Sequence, residues 1–306
     1  MKRNILTLMA GALLLGMSSM SAMAAGKTIA VSWKTFQEER WKTDEAAIKA
    51  VVEAAGNTYI STDAQGSAQK QAADIEGLIS QKPDVVLVVA FDSDAILPSI
   101  QALSDAGIKS IAYDVQFEDP NATFLFQGMM EVLKEALDSG KIKNVCETFT
   151  DGWKPDNAQK NMEQCLTSTG NKVDAVAAEN DGMAGGVVAA LTAQGMAGIP
   201  VGGQDGDLSA INRVALGTQT VSVWKNAKDL GKVAGEAANA LADGADVASI
   251  PGVAKFSGGK KGVEMNSILL APTPITKANI NVAIDAGHIT KEQACAGVAA
   301  GAVPGC

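Results

Sequence analysis

The stretch Asp84-Val85-Val86-Leu87-Val88-Val89-Ala90 (DVVLVVA, residues 84–90) places six apolar residues in a row behind one acid. A strand with one solvated face alternates apolar and polar residues. An unbroken apolar run of this length is instead typical of a parallel strand that is covered on both faces. Neighbouring parallel strands need crossover connections, which are usually helices. Residues 84–90 therefore predict an α/β fold built on a parallel sheet.

Short apolar runs alternate with amphipathic stretches on both sides of this strand. Up to residue 113 the pattern predicts strands 28–33, 58–61 and 108–113 and helices 40–55, 67–81 and 95–106. Beyond Gly128 it predicts strands 142–149, 173–178, 200–203 and 219–224 and helices 129–139, 155–167, 182–194, 208–216, 227–241 and 277–286. Two successive β/α series predict two lobes, each with a doubly wound parallel sheet.

The first two dozen residues have the layout of a secretion leader. Lys2 and Arg3 form a basic start, residues 5–17 are apolar, and Ala22 and Ala24 supply the small side chains of a signal peptidase site. A buried N-terminal helix or a retained anchor is the alternative, although the apolar run is too short to span a bilayer. We expect residues 1–24 to be a signal peptide and the mature protein to be periplasmic, without lipidation.

The charge of the chain excludes two classes of partner. The net charge is −9, and loss of Lys2 and Arg3 with the leader lowers it to −11. An acidic protein without a basic stretch repels phosphate backbones and anionic membrane surfaces. We therefore expect no nucleic-acid partner and no stable membrane association.

The four cysteines suit an oxidising compartment, and four cysteines allow three pairings that spacing alone cannot separate. We expect Cys146 to pair with Cys165, because the helix of a βα unit runs back over its strand and brings these positions together. Cys295 and Cys306 would then close a short C-terminal loop. A zinc site is the alternative, but the chain has no CxxC spacing and only one His.

Residues suited to catalysis are sparse. His288 is the only His and lies in a polar C-terminal turn, which argues against a Ser-His-Asp triad. No GxGxxG follows a predicted strand, and Gly259-Lys260 is not followed by Ser or Thr as in a P-loop. Asp114 and Asp205 remain open as a carboxylate pair of the glycosidase kind. We expect no enzyme activity and no cofactor.

The residues that follow the predicted strands are of the kinds that bind sugars. Sugar CH faces pack on aromatic planes, and sugar hydroxyls pair with planar groups such as those of Asp, Asn and Arg. In open parallel sheets, ligands bind beyond the carboxyl ends of the strands. The candidate ligand-binding residues there are Arg40, Trp41, Asp114, Trp153, Asn180, Asp205 and Lys225. Trp41 could instead be a core residue and Arg40 an exposed one, and we expect Asp181 and Asp207 to cap helices.

Six segments occur together in one order: SWKTFQEERW (32–41), IAYD (111–114), TDGWKPDNAQKNME (150–163), AENDGMAGG (178–186), GGQDGDL (202–208) and GTQTVSVWKNA (217–227). In this order and setting the chain resembles the periplasmic sugar-binding proteins of ABC transporters, in the ribose-binding-like group that includes the D-xylose-binding proteins. The resemblance implies a type I periplasmic binding protein fold with three crossing segments and two lobes that close over the sugar. It also implies that Arg40, Asp114, Asn180, Asp205 and Lys225 contact the ligand and that Trp153 stacks on it.

From that resemblance we expect an N-terminal lobe of residues 26–126 and 225–265 and a C-terminal lobe of residues 127–224 and 266–306. Two features depart from the family. Val115 stands where the family has an Arg, which removes a hydroxyl donor. The family also continues near residue 126 through a crossover strand, a helix and a further strand, whereas this chain goes straight to GMMEVLKEAL (128–137). We expect an internal deletion after Phe126 of about the size of one βαβ unit, with residues 121–126 filling one vacated strand position.

The function that the resemblance implies is capture of a monosaccharide, D-xylose first, and its delivery to an ABC permease. A chemoreceptor stays open as a further partner. The alternatives are a receptor for ribose, arabinose, galactose or another hexose, a receptor whose binding the deletion has impaired, and an exported enzyme that acts on sugars. A LacI-type regulator would need a DNA-binding helix pair where this chain has its leader.

Overall fold

The computed structural model describes residues 26–115, 121–258 and 262–306, so the expected leader lies outside the described residues. The strands are β1 Thr28–Trp33, β2 Thr58–Asp63, β3 Val85–Val88, β4 Lys109–Ala112, β5 Val176–Ala177, β6 Val201–Asp205, β7 Val221–Trp224, β8 Ala254–Phe256, β9 Met265–Ser267 and β10 Thr273–Ile275. The helices are α1 Arg40–Ala54, α2 Ala68–Ser80, α3 Leu97–Asp105, α4 Asn121–Asp138, α5 Pro155–Thr169, α6 Asp181–Ala193, α7 Leu208–Leu216, α8 Ala227–Ala242, α9 Ile280–Asp285 and α10 Lys291–Ala294. Short 3-10 helices cover Asp151–Trp153, Val247–Ser249 and Lys277–Asn279.

The first sheet has the strand order β2-β1-β3-β4, and all of its pairings are parallel. Strand β3 lies inside the sheet, as its apolar sequence predicts. Val85 and Leu87 point into one buried cluster, and Val86 and Val88 point into another, because successive side chains of a strand alternate between faces. Both faces of the sheet are therefore covered, and the α/β prediction is confirmed.

Helix α8 ties the first sheet to a later part of the chain. It follows β7 of the second sheet, yet it packs along α1 on the first. A Cβ atom at Gly231 would lie 2.6 Å from the backbone oxygen of Asp44, so only glycine allows the two helix backbones to approach this closely here. The chain thus crosses from the second sheet back to the first after Trp224.

The second sheet has the order β10-β7-β6-β5. Its pairings β5–β6 and β6–β7 are parallel, but β10 runs antiparallel to β7 at the edge. The second sheet therefore departs from the expected parallel arrangement at this edge, where residues 273–275 pair antiparallel with β7. Strands β8 and β9 form a separate antiparallel pair.

Residues 142–149, which we expected to form a strand, lie outside every strand of the described chain. The next strand along the chain, β5, spans only Val176–Ala177. Val145 and Phe149 are 52% and 82% exposed. The segment is apolar enough for a strand, but strand formation depends on a neighbour that accepts its hydrogen bonds.

Residues 121–126 are helical and begin α4, so the expectation that they fill a strand position is wrong. Valine 132 of the same helix is 82% exposed, which shows that part of the apolar face of α4 is not covered by the described residues. The exposed apolar side chains of α4 and of segment 142–149 lie close together in sequence.

Both expected disulfides are present. Cys146 is bonded to Cys165 of α5, and Cys295 is bonded to Cys306. The first holds the coil that replaces the expected strand against α5, and the second closes the C-terminal loop. No helix in the described ranges is long and apolar enough to cross a membrane.

Candidate functional site

Arg40, the first residue of α1, organises a group of charged side chains. Its Nε and Nη2 atoms donate to the two carboxylate oxygens of Asp44 at 3.0 and 3.1 Å. Its Nη1 atom donates to Oδ1 of Asp114 at 2.9 Å and lies 3.6 Å from Oδ1 of Asp205. The guanidinium carbon also lies 4.4 Å from the ring centre of Trp41. Every face of the Arg40 head group is therefore fixed by a neighbour.

Lys225 completes this group, which we call the charged cluster: Arg40, Asp44, Asp114, Asp205 and Lys225. The Lys225 Nζ atom lies 2.5 Å from Oδ1 of Asp114 and 3.8 Å from Oδ1 of Asp205. Asp114 follows β4 of the first sheet, whereas Asp205 ends β6 and Lys225 follows β7 of the second. The carboxyl ends of strands from both sheets thus meet at one place, as expected for a ligand site of this fold class.

The ionisation of the charged cluster follows from its pairing. Burial would raise the pKa of the Asp114 carboxyl, but Arg40 and Lys225 outweigh burial and hold this pKa well below its usual range. Burial would lower the pKa of Arg40, but Asp114, Asp44 and Asp205 raise it well above its ordinary value. At neutral pH the cluster therefore presents carboxylate acceptors beside cationic donors, a combination that suits the hydroxyl groups of a polar ligand.

Three candidate residues have a backbone conformation that side chains other than glycine rarely adopt. The φ angles of Asp114, Trp153 and Asp205 are +61°, +59° and +104°. They make up half of the non-glycine positive-φ residues in the described part of the chain. Such strain costs free energy and persists where surrounding contacts hold it, which happens most often at functional sites.

Trp41, which we expected among the ligand contacts, lies in the first core. It is 2% exposed, its Nε1 atom donates to Oε2 of Glu38 at 2.6 Å, and its ring centre lies 5.9 Å from that of Trp33. The structure therefore favours the core alternative, in which Trp41 supports Arg40 from beneath.

Trp153 ends a 3-10 helix of the second half and is partly exposed. The preceding carbonyl oxygen, that of Gly152, accepts a hydrogen bond from Nε2 of Gln37 at 3.3 Å. Gln37 stands three residues before Arg40, so the loop of Trp153 faces the segment that leads into the charged cluster. An aromatic ring at this position can cover a ligand from the side of the second half.

Asn180, and not Asp181, caps helix α6. Asn180 is the N-cap of α6, and its Oδ1 atom accepts the backbone N–H of Met183 at 2.8 Å. Asp181 is fully buried and accepts hydrogen bonds from Gly206 and Asp207 instead of capping its helix. The expectation for Asp181 is therefore wrong. The two residue types are both good caps and stand side by side, so sequence alone does not separate them.

Asp207 stands at the N-cap position of α7, but its side chain makes no capping hydrogen bond. The first helical N–H, that of Leu208, donates to Oε2 of Glu39 at 3.1 Å. Glu39 directly precedes Arg40 at the start of α1, so the first half of the chain supplies the cap for a helix of the second. The expected capping role of Asp207 is wrong for this reason.

Val115 packs against the cores on both faces of the first sheet. Its side chain is therefore part of the packing beneath the site. A cavity of about 630 Å³ opens beside Lys225 and Gln204. Its other walls include Phe124 and Leu125 of α4.

Sequence reasoning missed two members of the site. Asp44 lies four residues after Arg40, and opposite charges at this spacing meet on a helix, so the pair was available as a signal. Its Oδ1 atom also accepts a hydrogen bond from the hydroxyl of Tyr113. His288 contacts Gly206 from 82 residues away, and no spacing rule reports a contact of that kind.

Comparison with known proteins places this geometry in a family. The model of the periplasmic binding protein domain matches residues 29–119 and 115–246 of the chain. The D-xylose-binding periplasmic protein of Escherichia coli is 32% identical over 319 positions, which take in 91% of this chain and 94% of the relative. The protein of that name from Haemophilus influenzae is 32% identical over 316 positions, with 90% and 94% covered.

Among solved structures, an ABC transporter solute-binding protein from Clostridium phytofermentans with bound β-D-glucose is similar in fold. Its TM-score is 0.74 at 22% identity, and the match covers 88% of this chain and all of that one. The two sheets, the crossing helix α8 and the site between strand ends fit the type I fold that the sequence predicts. The chain belongs to the periplasmic binding protein family.

Proposed function

We propose that this protein captures a monosaccharide in the periplasm and delivers it to an ABC importer, with D-xylose as the first candidate. The observation that carries the proposal is the charged cluster, in which Arg40 joins Asp114 of the first half to Asp205 of the second. A ligand bound there would contact both halves at once, as delivery by closure requires. We further propose that residues 1–24 direct export and are then removed.

The chemistry of the cluster fits hydroxyl groups. Each sugar hydroxyl donates one hydrogen bond and accepts others, so it can bridge a carboxylate of Asp114 or Asp205 and a cation of Arg40 or Lys225. Hydrogen bonds to charged partners are about twice as strong as neutral ones. The ring of Trp153 would supply the apolar plane, and Asn180 an amide beside it.

The ionisation of Asp114 argues against it as the proton donor of a glycosidase. A glycosidase needs one carboxyl group with a raised pKa to protonate the leaving group. The pKa of Asp114 is instead lowered by Arg40 and Lys225, so its carboxylate has no proton to give near neutral pH. A turnover assay on aryl glycosides of xylose and glucose tests this, and product release above the rate of heat-denatured protein would support the enzyme alternative.

Two comparisons at different levels of sequence identity bear on which sugar is bound. The two relatives at 32% identity carry the name of D-xylose, and the structural neighbour at 22% identity holds glucose. We therefore place D-xylose first and keep ribose, arabinose, galactose and glucose as alternatives. Isothermal titration against this panel separates them, because a pentose and a hexose differ by one hydroxymethyl group that the pocket must accept or reject.

Matched variants test the site itself. Asp114→Asn and Asp205→Asn remove one charge each, and we expect each to weaken sugar binding at least about tenfold, since hydrogen bonds to charged groups contribute about 1.5–3 kcal/mol. Asp74→Asn is the control, because Asp74 pairs with Lys70 on α2 of the same half and lies outside the cluster. Unchanged binding in both cluster variants would contradict the proposed site.

We also propose that the chain lacks one strand–helix unit of the family after Phe126. The family model matches in two pieces that meet at residues 115–119. The alignment with the E. coli protein runs over 319 positions, more than the 306 residues of this chain, so the relative has residues without counterparts here. The exposed apolar residues Val132, Val145 and Phe149 lie just beyond that point, as expected where a covering element is absent.

A further inference from the structure

The turn that carries Asp205 is held in an unusual conformation. Asp205 ends β6 with a φ of +104°, and Gly206 follows with a φ of +80°. Glycine adopts such angles freely, but an Asp does so only when its surroundings hold it there. The contacts of the backbone N–H and C=O of Gly206 show what holds the turn in this conformation.

The N–H of Gly206 is held by a buried acid. It donates to Oδ2 of Asp181 at 2.9 Å and to Oγ of Ser222 at 3.0 Å. The same Asp181 oxygen accepts the N–H of Asp207 at 3.0 Å and the hydroxyl of Ser222 at 2.5 Å. Its other oxygen accepts Nε2 of Gln219 at 2.7 Å. Asp181 therefore fixes two successive backbone N–H groups of the turn.

The carbonyl of Gly206 is held from the other side by the only His. Nε2 of His288 lies 2.5 Å from this oxygen and must donate to it, because a carbonyl oxygen can only accept. The His288 ring lies 4.9 Å from that of Trp224, which is itself buried. A Cβ atom at position 206 would lie 2.1 Å from Cδ1 of Trp224, so the indole also limits the path of the backbone.

We propose that Asp181 and His288 are positioning residues of the sugar site, which hold the backbone N–H and C=O of Gly206 and so aim the Asp205 carboxylate without touching the sugar. The inference rests on the proposed function, in which Asp205 is a ligand. It gives a role to the one His and to a buried acid beside Asn180, neither of which the charged cluster uses.

The second sheet leaves space for the carboxylate of Asp181. A Cβ atom at Gly203 would lie 2.3 Å from its Oδ1 atom, so glycine in β6 leaves the space that the carboxylate occupies. Arg213 of α7 donates through Nη2 to the backbone oxygen of Asp181 at 2.7 Å. Asp181 therefore contacts β6, α7 and β7, the strand of Ser222. These contacts fix the position of the turn relative to the sheet.

The hydrogen bonds between Asp181 and the turn should depend on pH. The charged groups that face Asp181 are Asp205 and Asp207 of the turn and Arg213 of α7, with Ser222 and Gln219 as neutral donors from the side of β7. Burial, with a smaller contribution from Asp205, raises the pKa of Asp181 to about 6 against the lowering effect of these donors. A proton on the carboxyl replaces an acceptor by a donor, so the turn should loosen as the pH falls below that value.

The experiment measures D-xylose and D-glucose binding by titration calorimetry at pH 7 and pH 5. We expect Asp181→Asn to weaken binding about tenfold at pH 7, and His288→Leu about fivefold, since each removes hydrogen bonds of a fixed turn. His288→Gln, which keeps an N–H donor, should recover most of the loss. Wild-type affinity should fall from pH 7 to pH 5, and the fall should be smaller in Asp181→Asn.

Leu191→Ala is the matched control, since Leu191 is buried at the other end of α6, away from the turn. It should lower the melting temperature but leave the affinity unchanged below its transition. Equal loss of affinity in Leu191→Ala and His288→Leu would overturn the inference, as would wild-type affinity in His288→Leu. The His288 variants keep the test decisive if Asp181→Asn does not fold.

Amide exchange separates this inference from the proposed function. The Gly206 N–H should be protected in the wild type and should exchange faster in Asp181→Asn, with no sugar in the sample. A folded wild type that protects this amide but binds none of the sugars would overturn the proposed function alone. An unprotected Gly206 amide in the wild type would overturn the inference while sugar binding stood.

Discussion

The carboxylate of Glu39 accepts the backbone N–H of Leu208 at 3.1 Å, so the residue that leads into α1 caps the first turn of α7. The two helices pack on different sheets, and the contact therefore joins the two halves of the chain. A negative charge at a helix N-terminus is favourable, because the helix dipole is positive there. Glu39 is adjacent to Arg40, which places this contact beside the charged cluster.

We expect Glu39→Ala to shift the protein toward an open form and to weaken sugar binding about threefold to tenfold, the usual range for loss of a helix cap. Small-angle scattering should show a larger radius of gyration for the variant at equal sugar concentration. Glu39→Gln keeps an acceptor, so its radius of gyration and its sugar affinity should lie between those of Glu39→Ala and the wild type. Glu53→Ala, at the far end of α1, is the control, and a wild-type radius in Glu39→Ala would contradict the prediction.

Trp153 should report the arrival of the ligand. A sugar stacked on its ring should change the tryptophan fluorescence, and Trp153→Ala should weaken binding by at least about 1 kcal/mol, a typical contribution of aromatic stacking. Phe149→Ala removes an exposed aromatic ring four residues earlier and serves as the control. Pentose and hexose affinities that do not change in Trp153→Ala would assign Trp153 a purely structural role.

The stability of the protein should fall as the pH rises from 5 to 8. Burial, with the nearby Asp181 and Asp205, raises the pKa of Asp207 to about 8, and its Oδ1 atom has no hydrogen-bond partner among the described residues. A carboxyl group with a raised pKa binds its proton more tightly in the folded state. Its stabilising contribution is therefore complete below its ordinary pKa and is lost as the pH rises through about 8.

Urea midpoints at pH 5, 6.5 and 8 measure this slope. Asp207→Asn should flatten it, with a residual fall from Asp181, whose pKa is raised in the same direction. Asp74→Asn should leave the slope as in the wild type. A slope that stays the same in Asp207→Asn as in the wild type would contradict the raised pKa of Asp207.

The proposed export signal predicts the N-terminus of the mature protein, and the disulfides predict its thiol content. We expect the periplasmic form to begin at Ala25 and to contain no free thiol, since all four cysteines are paired. Intact-mass spectrometry of periplasmic extract, with and without a thiol-labelling reagent, measures both properties together. A mass that includes residues 1–24, or a label on Cys146, would contradict the respective half of the prediction.

The two halves should differ in stability. The proposed loss of one strand–helix unit would leave an open sheet edge and uncovered apolar surface, so the region from residue 128 to residue 224 should unfold at lower denaturant than residues 27–126. Hydrogen exchange at increasing urea should show peptides around β5 and residues 141–150 opening before those of β1 and β3. Insertion of a family-like segment after Phe126 should bring the two transitions together and strengthen sugar binding.

A single transition for all peptides, together with micromolar binding of D-xylose, would contradict this prediction. The second half would then have closed its sheet without the missing unit. A stabilising substitution on the surface of α2 provides the control, since it should change neither the order of opening nor the affinity.

The parts of the fold that sequence predicted correctly are those whose signal is local. Strand β3 is recognisable because six apolar residues in a row, four of them Val, are typical of a parallel strand covered on both faces. Arg40, Asp114, Asp205 and Lys225 were found because ligands of such sheets lie at strand ends, and the structure brings all four together.

The predictions from sequence failed where contacts with other parts of the chain determine the local structure. Residues 142–149 have the composition of a strand, but the short β5 does not extend along them. Asn180 and Asp181 are interchangeable as caps by residue type, and the carboxylate of Asp181 is drawn away by the turn at Gly206. Glu39 could not be assigned as the cap of α7, because its partner stands 169 positions later.

The bond between Cys146 and Cys165 attaches a segment without secondary structure to the second half. Residues 141–150 have no strand to hold them, so this covalent link is their firmest attachment to α5. We expect α5 and α6 to keep their packing when this bond is reduced, and the segment that carries Phe149 to lose its position. A reducing agent should therefore act on this protein first as a local release of residues 141–150.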